Sequence, residues 1–313
     1  MLQIVDKLLP VLLLIASGHL LRRIRVLEPP GLSTLKNLVI DLGLPAVMFL
    51  SFLRIELDPR LTLVVVLIFA LNLLLFFLRK MEPIGGKGTF APFLMSGFEY
   101  GMFAFGVFSV AYGEEHIPLI AVTDLGHELF IWFIFVPALI GTAGGRRGLG
   151  RTILSFMTSP VIIGIVLGLT ANLLGLRIPL EGAPISAGII RMLEMIASMT
   201  GPLILLVVGA GLEFSPHGFH LAFRTLAVRF PTVLLLFFAL SRFVFKGWLD
   251  LPSGYSTALF VLLLSPPPYV IPIFMGERHD EEQGRINTTL ALYTLVSLGA
   301  FLVYFARFPM IGT

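Results

Sequence analysis

Four prolines lie within seven residues in the segment Ser265-Pro-Pro-Pro-Tyr-Val-Ile-Pro272. Proline has no backbone N–H and its ring clashes with the preceding turn, so this segment cannot form an unbroken helix. The surrounding sequence is apolar enough to cross a bilayer, where backbone groups released by a break need partners inside the protein or in a polar cavity. Helices broken at mid-membrane are typical of transport sites, because their half-helix ends carry partial charges. The segment therefore predicts a membrane protein with a broken helix.

Composition indicates that the solvent of this chain is lipid. Of its 313 residues, 57% are hydrophobic and only 13% are charged, which is about half of the charged fraction typical of a soluble domain. The chain has no cysteine, which excludes disulfides and thiolate chemistry. The net charge of +3 does not indicate nucleic acid as a partner, because Lys and Arg collect in the cytoplasmic loops of membrane proteins.

Ten apolar stretches are long enough to span a bilayer, at roughly 20 residues each. They lie at about 4–22, 32–53, 61–78, 90–112, 117–141, 158–175, 185–212, 221–245, 256–275 and 285–306. The first is predicted to be a spanning helix and not a signal peptide, because its basic cluster follows the apolar run. The loops between the spans are too short for a soluble domain. The sequence thus predicts an all-α membrane protein with ten transmembrane helices.

Lys and Arg at the ends of the spans favour one orientation. If the N-terminus lies outside, more of these residues fall on the cytoplasmic side, including Arg22, Arg23 and Arg25 after the first span. We therefore expect a multi-pass protein of the plasma membrane with both termini outside.

Residues 1–150 and 151–313 show similar features in the same order. Pro10 and Gly18 in the first span have the same spacing as Pro160 and Gly168 in the sixth. Three further matches follow in order: Pro45 with Pro202, residues 96–100 with 265–269, and residues 113–116 with 276–279. Five spans per repeat is an odd number, so the second copy would be inverted. Sites in such folds lie near mid-membrane, where the two repeats meet.

The fourth span is the predicted partner of the broken ninth, because it occupies the mirror position in the first repeat. It contains Gly97, Gly101 and Gly106, and glycine weakens a helix interior through its backbone entropy. The alternative is that these glycines only allow helices to pack closely. The candidate substrate site is formed by both breaks and comprises Glu99, Tyr100, Gly101, Gly106, Pro267, Pro268, Tyr269 and Pro272.

Four short motifs occur in a fixed order through nearly the whole chain. They are Leu44-Pro-Ala-Val-Met-Phe49, residues 159–168, residues 201–209 and the proline-bearing ninth span. By these motifs the chain resembles the auxin efflux carrier family, which includes bacterial carriers of malonate and related carboxylates and has a crossover fold related to that of bile-acid/sodium symporters. The resemblance implies two inverted five-helix repeats, with crossed broken helices four and nine. It also implies a scaffold part and a transport part, each assembled from both repeats, and a homodimer formed through the scaffold.

The chain departs from the family's pattern in the fourth span, where members usually show Asn-x-Gly followed by a proline. Glu99 stands at the asparagine position and Gly106 at the proline position. An ionised Glu99 would repel an anionic substrate, whereas a protonated Glu99 could donate a hydrogen bond to it. We therefore expect Glu99 to couple transport to a proton or another cation. The alternative is a glutamate that is neutralised by a neighbour or faces water.

Other ionisable side chains within the spans are functional candidates, because such groups are expensive at membrane depth. Asp124, His127 and Glu128 in the fifth span are spaced i, i+3 and i+4, so they share one helix face. Together with Asp41 in the second span, they are predicted to take part in ion or proton coupling. A structural polar network is the alternative. A metal site is not expected, because one helix turn supplies too few ligands and the HExxH motif does not occur.

Two arginines, Arg191 and Arg229, also lie within predicted spans. Arg191 and Glu194, at i and i+3 in the seventh span, are predicted to form an internal ion pair. Arg229 in the eighth span is predicted either to extend to the cytoplasmic surface or to anchor an anion.

Three functions are compatible with these features. The favoured one is a secondary carrier of a small organic anion, a carboxylate by resemblance, with H⁺ as a candidate coupling ion. The second is a sodium/proton antiporter or a sodium-coupled symporter, with Glu99 and Asp124 as ion ligands. The third and most distant is a membrane-embedded enzyme that uses the polar face of the fifth span, although no nucleophile motif accompanies it. No Walker-type phosphate loop occurs, and no catalytic residue, cofactor or metal is expected.

Overall fold

The computed structural model describes residues 2–55, 58–79, 88–142, 154, 157–275 and 280–309, and the regular structure in this part of the chain is entirely helical. Six helical stretches there are long and apolar enough to cross a membrane: Pro29–Arg54, Pro59–Leu78, Glu114–Thr142, Pro184–Gly211, Pro216–Phe245 and Glu281–Arg307. Two shorter apolar helices are Pro160–Leu173 and Ser253–Leu264. The chain is thus a helical, membrane-spanning protein, as its composition predicts.

Some sequence predictions fall outside the described residues. They concern the repeat match at 276–279 and several basic residues used for the orientation, namely Lys80, Lys87, Arg146, Arg147, Arg151 and Arg278.

The α-helices are numbered in chain order. They are α1 Leu2–Arg23, α2 Pro29–Leu38, α3 Leu44–Arg54, α4 Pro59–Leu78, α5 Phe105–Tyr112, α6 Ile117–Phe130, α7 Val136–Thr142, α8 Pro160–Leu173, α9 Arg177–Gly182, α10 Pro184–Gly211, α11 Phe219–Ala239, α12 Ser253–Leu264, α13 Val270–Met275 and α14 Asp280–Arg307. Stretches of π-helix lie at Val39–Gly43, Tyr100–Ala104, Ile131–Phe135 and Leu240–Phe245, and 3₁₀ turns at Ala91–Met95, Glu114–His116 and Pro216–Gly218.

Prolines mark the starts of several of these helices. Pro29, Pro59, Pro160 and Pro184 are the first residues of α2, α4, α8 and α10. A proline is tolerated there, because its missing N–H is one that the first turn leaves without an intrahelical partner. The same residue type that breaks the ninth span therefore begins helices elsewhere.

The chain forms two compact units, and each takes segments from both halves of the sequence. Unit 1 comprises Met1–Asp58, Gly101–Ala121 and Leu154–Gly211, and unit 2 comprises Pro59–Tyr100, Val122–Ile153 and Leu212–Thr313. The predicted boundary between repeats, at residue 150, divides the chain differently and stays a prediction.

Glycines allow the helices of unit 1 to approach closely. Gly18 in α1 faces the backbone carbonyl of Leu206 in α10, and Gly168 in α8 faces that of Phe49 in α3. At either position a Cβ atom would overlap the carbonyl oxygen. Small residues at helix interfaces are a common means of packing in membranes, where apolar burial alone does not favour one helix contact over contact with lipid.

These two contacts join positions that the sequence matches between its halves. Phe49 lies four residues after Pro45, and Leu206 lies four residues after Pro202. The glycines that face them, eight residues after Pro10 and Pro160, are also a predicted pair. Residues matched by sequence therefore make matched contacts.

Gly209 in α10 provides a test of this packing. Its Cα faces the carbonyl of Ile15 in α1, and an added Cβ would overlap that oxygen. We expect Gly209→Ala to lower the free energy of unfolding by about 1–3 kcal/mol through overpacking. Gly188→Ala in the same helix is the control, because nothing lies within 4 Å of a Cβ there, and alanine favours a helix. Equal melting temperatures for the two variants in detergent would contradict the close approach of α1 and α10.

In unit 2, aromatic side chains pack the 3₁₀ turn at Ala91–Met95 against the helices around it. Phe93 meets Phe135 edge to face at 5.4 Å between ring centroids, and it meets Phe76 edge to face at 6.3 Å. Edge-to-face pairs of this kind add to the stabilisation from buried area. They fix the segment that leads directly into the predicted break of the fourth span.

The same turn is capped by a carboxylate from α14. Glu282 Oε1 accepts hydrogen bonds from the backbone N–H groups of Phe90 and Ala91, at 2.7 and 3.1 Å. A carboxylate satisfies donors that the start of a helical turn leaves unpaired. The start of the turn that leads into the predicted break is therefore held by α14.

Candidate functional site

Two interruptions of helical structure lie where the sequence predicts breaks. In the fourth span, residues 96–99 are non-helical between the 3₁₀ turn and the π-helical stretch Tyr100–Ala104. In the ninth span, α12 ends at Leu264 and α13 begins at Val270. We call these segments the first break, 96–99, and the second break, 265–269. Gly97 has a φ of +70°, a conformation that glycine adopts without the steric cost of a Cβ.

The two breaks contact each other directly. The backbone N–H of Glu99 donates to the carbonyl of Pro266 at 2.7 Å. The N–H of Tyr269 donates to Glu99 Oε2 at 2.6 Å. Gly97 faces the ring of Pro268 closely enough that a Cβ would lie 2.7 Å from its Cγ. Each break thus supplies partners for backbone groups that the other has released, which is what an apolar environment requires.

A tyrosine at each break is held by a threonine. The hydroxyl of Tyr100 hydrogen-bonds Thr123 Oγ1 in α6 at 2.6 Å, and that of Tyr269 hydrogen-bonds Thr294 Oγ1 in α14 at 2.7 Å. The sequence matches Tyr100 with Tyr269, and these residues again make matched contacts. Each tyrosine is therefore held by the span that comes next in the chain after its own broken span.

Arg229 in α11 binds the carbonyl side of the first break. Its Nη1 donates to the carbonyl of Leu94 at 2.5 Å and its Nη2 to that of Gly97 at 2.7 Å. The guanidinium also lies over the ring of Phe98, 4.7 Å from its centroid, and the residue is only 1% exposed. Of the two alternatives for Arg229, the position at the cytoplasmic surface is therefore wrong, and the anion anchor stays a prediction. The sequence signal for this role is weak, because backbone carbonyls leave no residue pattern.

Asp124, His127 and Glu128 form one cluster on α6, as their spacing predicts. The N–H of Phe98 in the first break donates to His127 Nε2 at 3.0 Å. A neutral imidazole that accepts at one nitrogen carries its proton on the other. Nδ1 therefore holds the proton, and it lies 3.5 Å from Asp124 Oδ1. Glu128 Oε2 accepts a hydrogen bond from the indole N–H of Trp132 at 2.8 Å.

The distances within this cluster are compatible with a metal ion, since one ligand atom from each residue lies within 4.8 Å of the others. The hydrogen bond from Phe98 to His127 is not compatible with a metal ion. His127 accepts at Nε2 and carries its proton at Nδ1, so neither nitrogen has a lone pair for a metal while Phe98 donates to it. In this tautomer the imidazole offers no lone pair to a metal ion.

Among the residues that the structure describes, carboxyls outnumber guanidiniums around the first break. Asp124 interacts electrostatically with both Glu99 and Glu128, and the cation that acts on His127 beside them is Arg229. Asp124 and His127 are each only 2% exposed. Full ionisation of all three carboxyls would bury an excess of negative charge in apolar surroundings, which is costly. Protons or a bound cation would remove that excess.

Three residues predicted for the site lie in unit 1. Asp41 is exposed in the π-helical stretch Val39–Gly43. Gly101 lies in the π-helical stretch that follows the first break, and Gly106 lies inside α5, where a Cβ would press on Ile204 in α10. Gly106 is thus a packing residue within a regular helix, which was the alternative reading of these glycines.

The remaining predicted residues belong to the ninth span. Pro267 is buried within the second break. Pro272 lies inside the short helix α13, and its carbonyl accepts a hydrogen bond from Gln283 Nε2 at 3.3 Å.

The predicted pairing of Arg191 with Glu194 is wrong. Glu194 accepts a hydrogen bond from Arg54 Nη2 at 2.5 Å, and Arg54 also donates from Nε to Glu181 at 3.0 Å. Arg191 is exposed beside them. Arg54, Glu181 and Glu194 form an ion-pair network in unit 1 at the end of α3.

No protein-family model matches the chain, and no curated protein matches it either.

Proposed function

We propose that this protein is a secondary transporter that moves a small organic anion, a carboxylate, across the plasma membrane by alternating access, with protons as the coupling ion. The observation that carries the proposal is the direct contact between two helix breaks through Glu99. Broken helices that meet within a membrane protein are typical of transporter sites.

The matched contacts support an inverted repeat and a relationship to the auxin efflux carriers. Tyr100 and Tyr269 bind threonines in the same way, and Gly18 and Gly168 face carbonyls at equivalent positions. Under this proposal the chain has ten spanning helices and both termini outside, unit 1 is the scaffold part and unit 2 is the transport part.

The excess of carboxyls supports proton coupling. Glu99 stands where the auxin efflux carriers that the chain resembles have an asparagine, and its carboxyl group accepts the Tyr269 N–H. A proton on this group would remove the charge that repels an anionic substrate. Proton uptake and anion binding would then favour each other, which is a coupling between two ligands of one site.

The same excess supports a second candidate function, a sodium/proton antiporter. In that case Glu99 and Asp124 would bind the cation, and no organic anion would be carried. Hard cations such as sodium prefer oxygen ligands, which both residues offer. The two functions differ in whether a carboxylate binds at all.

A thermal-stability screen separates these functions. The purified protein is heated with mono- and dicarboxylates, with and without sodium, at acidic and neutral pH. A ligand at a hundred times its Kd stabilises the folded state by about 2.7 kcal/mol. We expect one class of carboxylates to raise the melting temperature, and to raise it more at acidic pH. A shift with sodium or pH alone, and none with any carboxylate, would favour the antiporter.

A further inference from the structure

His127 joins the first break to a buried carboxyl through its two ring nitrogens. Nε2 accepts the N–H of Phe98 at 3.0 Å, and Nδ1 lies 3.5 Å from Asp124 Oδ1. Asp124 and His127 are each only 2% exposed, and neither Oδ1 nor Nδ1 makes a hydrogen bond in the described part of the chain, so the two atoms face each other without one. The imidazole is thus the link between a backbone amide of the break and one acidic side chain.

This link depends on where the protons are. The present tautomer, with its proton on Nδ1, can accept from Phe98 and face an ionised Asp124. A protonated Asp124 that donates its O–H to Nδ1 requires the ring proton to lie on Nε2, and a second proton on the imidazole likewise occupies Nε2. In both cases the N–H of Phe98 loses its acceptor. A buried N–H without a partner is costly, so the break would rearrange.

The residues on either side of Phe98 are held by backbone hydrogen bonds that do not depend on protonation. Gly97 is held through its carbonyl by Arg229, and Glu99 is held through its N–H by Pro266. Both bonds are made by groups that do not release a proton in the physiological range. The bond from Phe98 to His127 is therefore the proton-sensitive one of these three.

We propose that His127 is a positioning residue that transmits proton uptake at Asp124 to the first break. The proposal rests on the proposed function, since it specifies how a coupling proton changes the shape of the site. Glu128 on the same helix and Arg229 from α11 act on His127, Glu99 at the first break acts on Asp124, and the Tyr100 ring lies 6.0 Å from the imidazole.

A cysteine-accessibility experiment tests the proposal without a substrate. The chain has no cysteine, so Ser96→Cys places a single thiol in the first break, at a position that is 0% exposed. Labelling by a small thiol reagent is measured at acidic and neutral pH and normalised, at each pH, to the same protein unfolded. We expect labelling to be roughly three- to tenfold faster at acidic pH, the factor that corresponds to one hydrogen bond.

Two substitutions of His127 separate its hydrogen bond with Phe98 from its contact with Asp124. The amide of Gln reaches the position of Nε2 and can accept from Phe98, whereas that of Asn reaches the position of Nδ1 and can donate to Asp124. Neither amide takes up a proton. In the Ser96→Cys background we expect slow labelling at both pH values for His127→Gln and fast labelling at both for His127→Asn. Asp124→Asn should also remove the pH dependence.

Two results would overturn the proposal: labelling of the parent Ser96→Cys protein that does not depend on pH, or pH dependence that persists in His127→Gln. If Ser96→Cys does not fold, amide hydrogen exchange of residues 96–100 provides the same comparison without the cysteine. Neither measurement uses a transported ligand, so a negative result leaves the transport proposal to be decided by ligand binding and flux.

Discussion

Replacing Glu99 with glutamine is expected to abolish the dependence of transport on proton and sodium gradients while leaving the fold intact. The amide oxygen of glutamine can still accept the N–H of Tyr269, which donates to Glu99 Oε2 at 2.6 Å. The amide cannot bind or release a proton, so a coupling step that requires one is lost. Uptake into proteoliposomes, with and without each gradient, measures this loss.

Two further variants make this experiment specific. Glu99→Ala leaves the N–H of Tyr269 without its acceptor, and we expect it to lower the free energy of unfolding by about 1–3 kcal/mol as well. Glu281→Gln, at an exposed position at the start of α14, should change neither property. If Glu99→Gln transports with the pH and sodium dependence of the unsubstituted protein, Glu99 has no role in coupling.

Replacing Arg229 with methionine is expected to destabilise the protein by about 3–5 kcal/mol, since hydrogen bonds to a charged group contribute about 1.5–3 kcal/mol each. The guanidinium donates to two carbonyls of the first break, those of Leu94 and Gly97. Methionine fills much of the space and leaves both carbonyls unpaired. Thermal unfolding in detergent measures the change.

Two comparisons identify the cause of that change. Arg242→Met, at an exposed position of the same span, should alter the melting temperature little. Arg229→Lys keeps the charge but cannot present a rigid fork to two acceptors. We therefore expect its melting temperature to lie between those of Arg229→Met and the unsubstituted protein. Equal stability of Arg229→Met and Arg242→Met would show that the bonds to Leu94 and Gly97 do not hold the break.

The second break was predictable from local chemistry, because prolines exclude a helix whatever surrounds them. The first break has no proline, and its position followed from the predicted repeat. Which glycine would matter could not be predicted in the same way. Gly97 faces Pro268 and has a left-handed φ, whereas Gly106 faces Ile204 inside a regular helix. That difference depends on partners more than ninety residues away in the sequence.

The site was predictable only where its side chains share one helix, and not where they bind distant backbone groups. Helical spacing was sufficient to place Asp124, His127 and Glu128 on one face. The acceptor role of His127 was not predictable, because its donor is a backbone N–H and leaves no side-chain pattern. Arg229 was recognised as unusual, but its bonds to the first break were not predictable, since its acceptors are also backbone groups. Spacing likewise suggested a partner for Glu194 on its own helix, whereas the structure pairs Glu194 with Arg54.

Uptake of radiolabelled mono- and dicarboxylates into proteoliposomes tests the transport proposal most directly. We predict saturable entry of one carboxylate class, faster than into protein-free liposomes and accelerated by an inward proton gradient. Entry of every carboxylate at the protein-free rate, in vesicles where the same protein exchanges sodium for protons, would contradict the anion carrier and leave the antiporter in its place.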